Sequence, residues 1–336
     1  MAKIHFLNVD EGDCTIIQHD NGKVTMIDIC CGNIETEETN ALFSANEALG
    51  GIKGNFHQKE HPNNPIVYLK KRGITSIFRY IQTHPDMDHM DGLNRLYNEI
   101  PILNFWDTEN KKEQTCDDSG KARGYLKEDW DCYQELRKMD SAPKALFYYD
   151  GSKSKYYAED DKGALTDDFI QILSPTKDLI KAANDAGDWN DSSYVLLYCI
   201  HGFKVLFCGD ADMGTINHLL DNHEQEISDI DVLVAPHHGR DSNKDFSFLD
   251  VMKPKLTLMG NAKSKFMAYK EWNDRKHEHI TNNQADNILI EFEGKCMRVS
   301  VSNKTFADKY CQENWKHNSY QHDKLKDYWR IFRREK

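Results

Sequence analysis

Short apolar runs separated by polar turns open the chain. "KIHFLNV" at 3–9, "CTIIQ" at 14–18 and "KVTMIDI" at 23–29 are broken by "DEGD" and "DNG", which predicts antiparallel strands over the first thirty residues. Residues 34–64 are polar and rich in Gly and Asn, a loop with one short helix expected at Asn40–Leu49. "PIVYLKKRGI" at 65–74 reads as a helix after its proline. "SIFRYIQTH" then reads as a buried strand, and "DGLNRLYNEI" spaces Leu93, Leu96, Tyr97 and Ile100 at helical intervals.

Residues 107–165 are charged and poor in long apolar runs. Here "KEDWDCYQELRKM" predicts a helix and "KALFYYDGSKSKYYAED" a hairpin, and the segment reads as an insertion or a cover facing substrate. Regular patterning returns in "DFIQILSP", "SYVLLYCI", "KVLFCGD", "DVLVAPHHG" and "KLTLMG", and the last strands are expected in "NILIEFEG" and "CMRVSVS". Strands with helices between some of them indicate an α/β (α+β) class with mixed β-sheets. The C-terminal "KHNSYQHDKLKDYWRIFRREK" reads as a terminal helix packed by Trp329, Ile331 and Phe332, so 301–336 is expected to form a helical extension to a domain of residues 1–300.

Composition narrows the class. With 336 residues, 39% of them hydrophobic, and 15 Phe and 15 Tyr, the chain has enough apolar material for a large core. It has no apolar signal core near its start and no run near the roughly 18 apolar residues of a membrane span, so a cytoplasmic location and no membrane partner are expected. Nine cysteines without a C-x-x-C pair fit reduced, buried thiols, Cys14, Cys30 and Cys31 included. A net charge of −12 disfavours tight binding of long duplex nucleic acid, which depends on neutralising phosphates with Lys and Arg.

The chemistry concentrates in "QTHPDMDHMDGL" at 82–93. His84, Asp86, Asp88 and His89 are metal-ligand types crowded on one loop behind a strand, and without a cation the carboxylates would repel one another. A capped helix start explains any one of these residues, but explains the four together poorly. "VLFCGD", ending in Asp210, and "VLVAPHHG", ending in His237 and His238, likewise close apolar strands with ligand-type residues. Strand ends of this kind can meet at one edge of an open sheet. Asp28, at the end of the third strand, is either a loop cap or part of a site. His5, His19, His57, His61, His201, His218 and His223 have ordinary structural readings.

These segments resemble the metallo-β-lactamase superfamily, and most closely the hydrolase domain of ComEC-type DNA-uptake proteins and their stand-alone relatives. "FLNVDEGDCTII" with "MIDICCG" is similar to that branch's opening "FLDVGQGD…LIDTG", "THPDMDHMDGL" to H-x-H-x-D-H-x-G-G, "NDSSYVLLYCIHGFKVLFCGDAD" to "N…S-x-V-L…TGD", and "DVLVAPHHGRDSN" to "VPHHGSxxS". The resemblance spans roughly residues 3–260 outside the insertion.

It implies an αββα sandwich holding two divalent metal ions, zinc or manganese, with magnesium or iron as alternatives. By position, His84 and Asp86 would take the first ion, Asp88 and His89 the second, and Asp210 would bridge. One of His237 and His238 would complete the second ion while the other holds substrate or donates a proton. The family's second histidine is Asp86 here, which hardens the first site toward manganese, magnesium or iron. "NDSS" stands where many members have a histidine, leaving Asn190 as a weak ligand candidate and Ser192 and Ser193 to orient phosphate oxygens. Lys263 and Lys265 are candidate anion holders.

Two ions ~3.5–4 Å apart would activate a shared water and clamp the attacking and leaving oxygens of an in-line displacement. In that scheme Asp88 or Asp210 accepts the water's proton, and a protonated member of the His237–His238 pair, or a metal-bound water, assists the leaving group. The expected activity is a phosphodiesterase or nuclease on nucleic acid or small phosphodiesters, with single-stranded ends and short oligonucleotides favoured by the acidic surface. Hydrolysis of a lactone, amide or thioester at the same ions is the alternative enzyme, and a metal-binding sensor module the alternative from another class. Natural substrate, protein partners and oligomeric state have no signal in the sequence.

Overall fold

The computed structural model describes residues 1–35, 55–157, 162–242 and 244–336. The helix expected at Asn40–Leu49 lies outside them. The chain starts as an antiparallel meander of β1 (Ala2–Phe6), β2 (Thr15–Gln18) and β3 (Val24–Ile27). It then crosses through the helix Pro65–Lys71 to β4 (Arg79–Ile81), and through the helix Leu93–Glu99 to β5 (Asn104–Asp107), both parallel to β3. A small hairpin, β6 (Lys121–Ala122) and β7 (Tyr125–Leu126), precedes the helix Lys127–Leu136 and β8 (Lys144–Phe147).

β9 (Asp168–Ser174), β10 (Val195–Ile200) and β11 (Phe203–Phe207) form a second antiparallel meander. From β11 the sheet continues in parallel through β12 (Val232–Val234), β13 (Leu256–Met259) and β14 (His279–Thr281). The chain then returns to the first sheet as β15 (Ile288–Glu293) and β16 (Cys296–Val301), and ends, after the helix Lys304–Trp315, with β17 (Tyr320–Gln321) and β18 (Trp329–Glu335). The larger sheet runs β17-β18-β16-β15-β1-β2-β3-β4-β5-β8 and the smaller β14-β13-β12-β11-β10-β9.

The buried side chains sort into three cores that define the layers. Ile4, Phe6 and Phe292 of one sheet meet Ile172, Leu196, Val205 and Leu258 of the other. Ile16, Met26 and Tyr80, on the opposite face of the first sheet, pack under Leu69, Leu93 and Tyr133 of its helices. Leu197, Leu206 and Leu233 pack under Ile216, Leu249 and Trp272. Each sheet is thus apolar on both faces, and the order is helix, sheet, sheet, helix, the αββα sandwich expected from the sequence. Each fully buried Leu, Ile or Phe contributes about 1.5–3 kcal/mol, so near-continuous apolar runs such as "YVLLYCI" are what a strand covered on both faces requires.

Three expectations need correction. "KALFYYDGSKSKYYAED" contributes only β8 among the described residues, and it pairs in parallel with β5 rather than folding into a hairpin. The 107–165 segment is also partly core: Trp130, Cys132, Tyr133 and Leu136 join the apolar cluster, and Asp129 accepts from the N–H groups of Gly92 and Asn94 at the start of a core helix. The stretch holding Trp329, Ile331 and Phe332 is strand β18, paired antiparallel with β16, whereas the helix of this region lies upstream at Lys304–Trp315. A run as short as "WRIF" fits helical and strand periods equally, and the unpaired edge of β16 decides between them.

The C-terminal hairpin is fixed to the helix Pro65–Lys71 and its C-cap Arg72. Asp327 accepts from both terminal nitrogens of Arg72 at 3.0 and 2.7 Å, with Lys71 Nζ at 2.8 Å, and the Tyr328 hydroxyl meets that of Tyr68 at 2.8 Å. Burial raises the Asp327 carboxyl pKa, but the hydrogen bonds from Arg72 and Lys71 outweigh it and hold it at about 2. The folded value lies below the unfolded one of about 3.9, so the stabilisation is full above that pH and fades as pH falls toward the folded value. Because the Asp327 side chain is 35% exposed, solvent screening reduces the worth of the cluster. Asp327→Asn is expected to cost about 1 kcal/mol at pH 7 and much less near pH 2.5. Urea unfolding at the two pH values checks this, and an equal loss at both would refute it.

Candidate metal centre

The ligand-type residues collect where parallel strands of both sheets end. Asp28 follows β3, the 82–92 loop follows β4, Asp210 follows β11, His237 and His238 follow β12, and Gly260 follows β13. This is the carboxyl edge at which open α/β sheets place their sites. Two loops are held there in unusual ways. His237 and His238 adopt φ of 52° and 59°, a left-handed pair that turns both rings back toward Asp210. Gly12, in the β1–β2 connection, lies so close to the 82–92 loop that a Cβ would sit 1.9 Å from the Asp88 carbonyl oxygen, so only glycine allows the approach.

Asp210 is the centre of the arrangement. Its Oδ1 lies 3.3 Å from His89 Nε2 and 3.4 Å from His238 Nε2, and its Oδ2 lies 3.5 Å from His237 Nε2 and 3.9 Å from His84 Nε2. Despite this proximity, Asp210 Oδ1 and the Nε2 atoms of His84, His89 and His238 are buried and have no hydrogen-bond partner. Buried polar atoms are rarely left so, and four converging on one spot is what a cation-binding pocket presents. The donors form overlapping groups: His84, His89 and Asp210; Asp88, His89 and His238; and Asp13, Asp210 and His238. Imidazole nitrogens with carboxylate oxygens suit zinc, manganese or iron, so these residues fit the divalent ions that the sequence implies.

Carboxylates behind the rings orient them. His89 Nδ1 is 2.7 Å from Asp28 Oδ2, and Asp28 also accepts from the Thr83 N–H at 2.7 Å and the Thr83 hydroxyl at 2.6 Å. His238 Nδ1 is 3.1 Å from Asp13 Oδ1. An Nδ1–H donated to a carboxylate leaves the Nε2 lone pair free to face a metal, the outer support that ligating histidines use.

Electrostatics divides the histidines. Burial pushes His84 down to about 3, and burial likewise leaves His237 at about 4 despite Asp210. For His238 the burial penalty is outweighed by the charges of Asp210 and Asp13, which lift it to about 10. His89 is raised in the same way, with burial overcome by Asp210 and Asp28. Burial also disfavours the Asp210 charge, yet His238, His89 and His237 hold its carboxyl well below the usual range. In the metal-free protein, protons on His89 and His238 thus balance Asp210, and a cation would replace them.

The expected residues fall in different places. His84, Asp88, His89, Asp210 and His238 come together. His237 approaches Asp210 from the cleft side, half-buried, with Nδ1 3.3 Å from the Ser242 hydroxyl. Asp86 lines the same cleft, close enough to His84 for their charges to interact, and is paired with Lys112 Nζ at 2.5 Å. Asn190 lines the cleft beside the centre. Ser192 is buried, its hydroxyl donating to the Trp189 carbonyl, while Ser193 is buried beside Gly209 with its hydroxyl unpartnered. Lys263 and Lys265 are exposed and are not among the residues lining the cleft.

The cleft has a volume of about 750 Å³, and its cations are Lys112, Arg123 and Arg240. Sequence reasoning missed all three, along with Asp13. The adjacency of Arg240 to "PHHG" was the available signal for one of them.

No protein-family model matches the sequence, and no curated protein matches it. The chain is similar in structure to CmlA, a diiron β-hydroxylase from Streptomyces venezuelae, at a TM-score of 0.46 and 10% identity, covering 87% of this chain and 54% of that one. It therefore spans about half the length of the hydroxylase. It is also similar to YhfI, a metallo-β-lactamase fold protein from Bacillus subtilis, at a TM-score of 0.42 and 8% identity over 84% of this chain and 96% of that one. A diphosphatase of the PhnP family is similar at a TM-score of 0.43 and 10% identity, covering 87% of this chain and 98% of that one.

Proposed function

We propose that this chain is a metal-dependent hydrolase of phosphodiester bonds, of the ComEC-like kind. The observation that carries it is the convergence of unpartnered His84, His89 and His238 Nε2 atoms on the Asp210 carboxylate, beside a cleft lined by Lys112, Arg123 and Arg240. His84, His89, Asp88, Asp210 and His238 would hold the ions. Divalent cations, when bound there, would supply charge neutralisation and lower the pKa of a water toward neutrality.

The chain's own groups do the rest. Asp88 stands at the cleft, and burial raises its carboxyl pKa above the usual value, which suits it to accept a proton from an attacking water. His237, kept neutral by burial at the cleft wall, would hold a leaving oxygen, a role that sequence alone left open between the two histidines. Lys112, Arg123 and Arg240 meet phosphate charge, whose dispersal over several oxygens calls for positive stabilisation more than for a covalent nucleophile. Trp189 and Tyr125 add flat apolar surface on which a nucleobase can stack. Acidic residues in the same cleft, Glu11, Glu113 and Asp188 among them, favour short or single-stranded substrates over long duplex.

Bis-p-nitrophenyl phosphate and a lactone panel, assayed with manganese and with zinc, form the test. The expected result is phosphodiester hydrolysis that a chelator abolishes and metal restores. Activity confined to lactones would overturn the phosphodiesterase reading.

A further inference from the structure

A second group of ligand-type side chains lies apart from the sheet-edge centre. Asp150, His218 and His223 present ligand atoms that all lie within 4.8 Å of one another. His218 belongs to the helix Met213–Asn222, and His223 is its C-cap. The cap leaves the helical conformation, with φ −131° and ψ 23°, and its ring stands at 72° to that of His218 with centroids 5.4 Å apart. Asp150 comes from the loop after β8, where its N–H donates to the Pro175 carbonyl and the Gly151 N–H to the Ile172 carbonyl. The three side chains are 22%, 15% and 12% exposed in the order Asp150, His218, His223.

Their contacts are not those of a simple hydrogen-bonded cluster. His218 Nε2 bonds Asp150 Oδ2 at 3.2 Å. His223 Nε2 lies 2.9 Å from Asp150 Oδ1, yet both atoms, and His223 Nδ1 as well, are buried without a hydrogen-bond partner. The misaligned pair leaves these atoms without a satisfied hydrogen bond, a condition that a bound cation would relieve. In a tetrahedral zinc site with metal–ligand bonds of about 2.0–2.1 Å, neighbouring ligand atoms stand ~3.3 Å apart, a spacing that donors within 4.8 Å of one another reach with small side-chain shifts.

We propose that Asp150, His218 and His223 form a separate site for a transition-metal cation of the zinc class, with its remaining position open to water. Two imidazoles and one carboxylate suit such an ion, whereas magnesium and calcium require more oxygen ligands. The ion fastens the loop after β8 to the far end of the helix whose near end follows Asp210, so it stabilises the wall of the fold rather than taking part in the chemistry. As it stands, Asn222 Nδ2 faces His218 Nδ1 at 3.2 Å, which leaves the ring proton on Nε2. Binding moves that proton to Nδ1 and requires the Asn222 amide to turn and accept it.

The test uses the full chain carrying His89→Ala, Asp210→Ala and His238→Ala, which removes two donors from every group of the sheet-edge centre, with circular dichroism confirming the fold. After chelation, reconstitution with zinc and gel filtration, this protein is expected to retain about one zinc per chain and to melt a few degrees higher than its metal-free form. Cobalt in place of zinc is expected to give the visible absorption of a tetrahedral nitrogen–oxygen site. Adding His223→Ala should remove the zinc, the melting shift and the absorption together. Asp150→Asn is measured alongside, as a variant that keeps the packing volume should His223→Ala fail to fold. No zinc in the starting variant, or zinc unchanged by His223→Ala or Asp150→Asn, overturns the proposal.

Discussion

Asp88→Asn is expected to lower turnover by roughly 10³-fold or more, as loss of one member of a catalytic unit does, while leaving the metal-free protein at least as stable as wild type. Burial is the first cause of the raised Asp88 pKa, and repulsion from Asp210 and Asp86 adds to it against the attraction of His89 and His238. A carboxyl whose folded pKa exceeds its unfolded one costs nothing below about pH 3.9, where it is protonated in both states. Above that the ionised form is a growing liability to the fold. An amide of the same shape removes the liability. A bound cation reverses the order, because a ligand at 100 times its dissociation constant stabilises the native state by about 2.7 kcal/mol and the variant binds it less well. Thermal melts in chelator and in manganese should therefore cross: variant at or above wild type without metal, wild type above variant with it. Unchanged turnover, or a variant clearly less stable in chelator, would refute the assignment. His89→Ala gives the same loss of activity but a less clean answer, because it also strips Asp28 of a buried hydrogen-bond donor.

Much of the centre was legible because its residues break a rule. An apolar strand ends most simply in Gly, Asn or Ser, and those ending in His84, Asp210 and His237–His238 end in costly groups that need a reason. Their meeting at one edge followed from the carboxyl ends of parallel strands sharing that edge. Asp13 gave no such signal: "DEGD" between two short strands is ordinary turn composition, and its contact with His238 is 225 residues away along the chain. Asp28 stayed ambiguous for the same reason, since a strand-end carboxylate is equally a cap until its partner is known. Asp86 has a partner that the sequence did not announce. Its position matches a ligand in the motif, but Lys112, from a segment with no motif at all, neutralises it. The strand β14 was missed because three residues, "HIT", carry too little pattern, and β18 because its partner strand rather than its own period determines its conformation.

The outer carboxylates yield the second large effect. Asp28→Asn is expected to weaken metal binding by about 10–100-fold, although Asp28 is one side chain removed from the donors. Asp28 takes donors at both oxygens: the Thr83 N–H at Oδ1, and the Thr83 hydroxyl with His89 Nδ1 at Oδ2. An asparagine has only one acceptor oxygen. If that oxygen keeps the Thr83 N–H, the amide NH₂ faces His89 and forces its proton onto Nε2, blocking the lone pair that would face a metal. If it keeps His89, the NH₂ opposes the Thr83 N–H inside a buried site, which costs on the order of 1–3 kcal/mol. The backbone itself accommodates the change, since residue 28 has φ of 56° and asparagine tolerates that left-handed conformation well. Asp13→Asn should do less, because Asp13 meets His238 through a single, longer contact of 3.1 Å. Competition against a chromogenic chelator measures both affinities, with circular dichroism confirming the fold. Wild-type affinity in a folded Asp28→Asn protein would show that His89 holds its tautomer without help, and would remove the carboxylate–histidine–metal relay from the account of this centre.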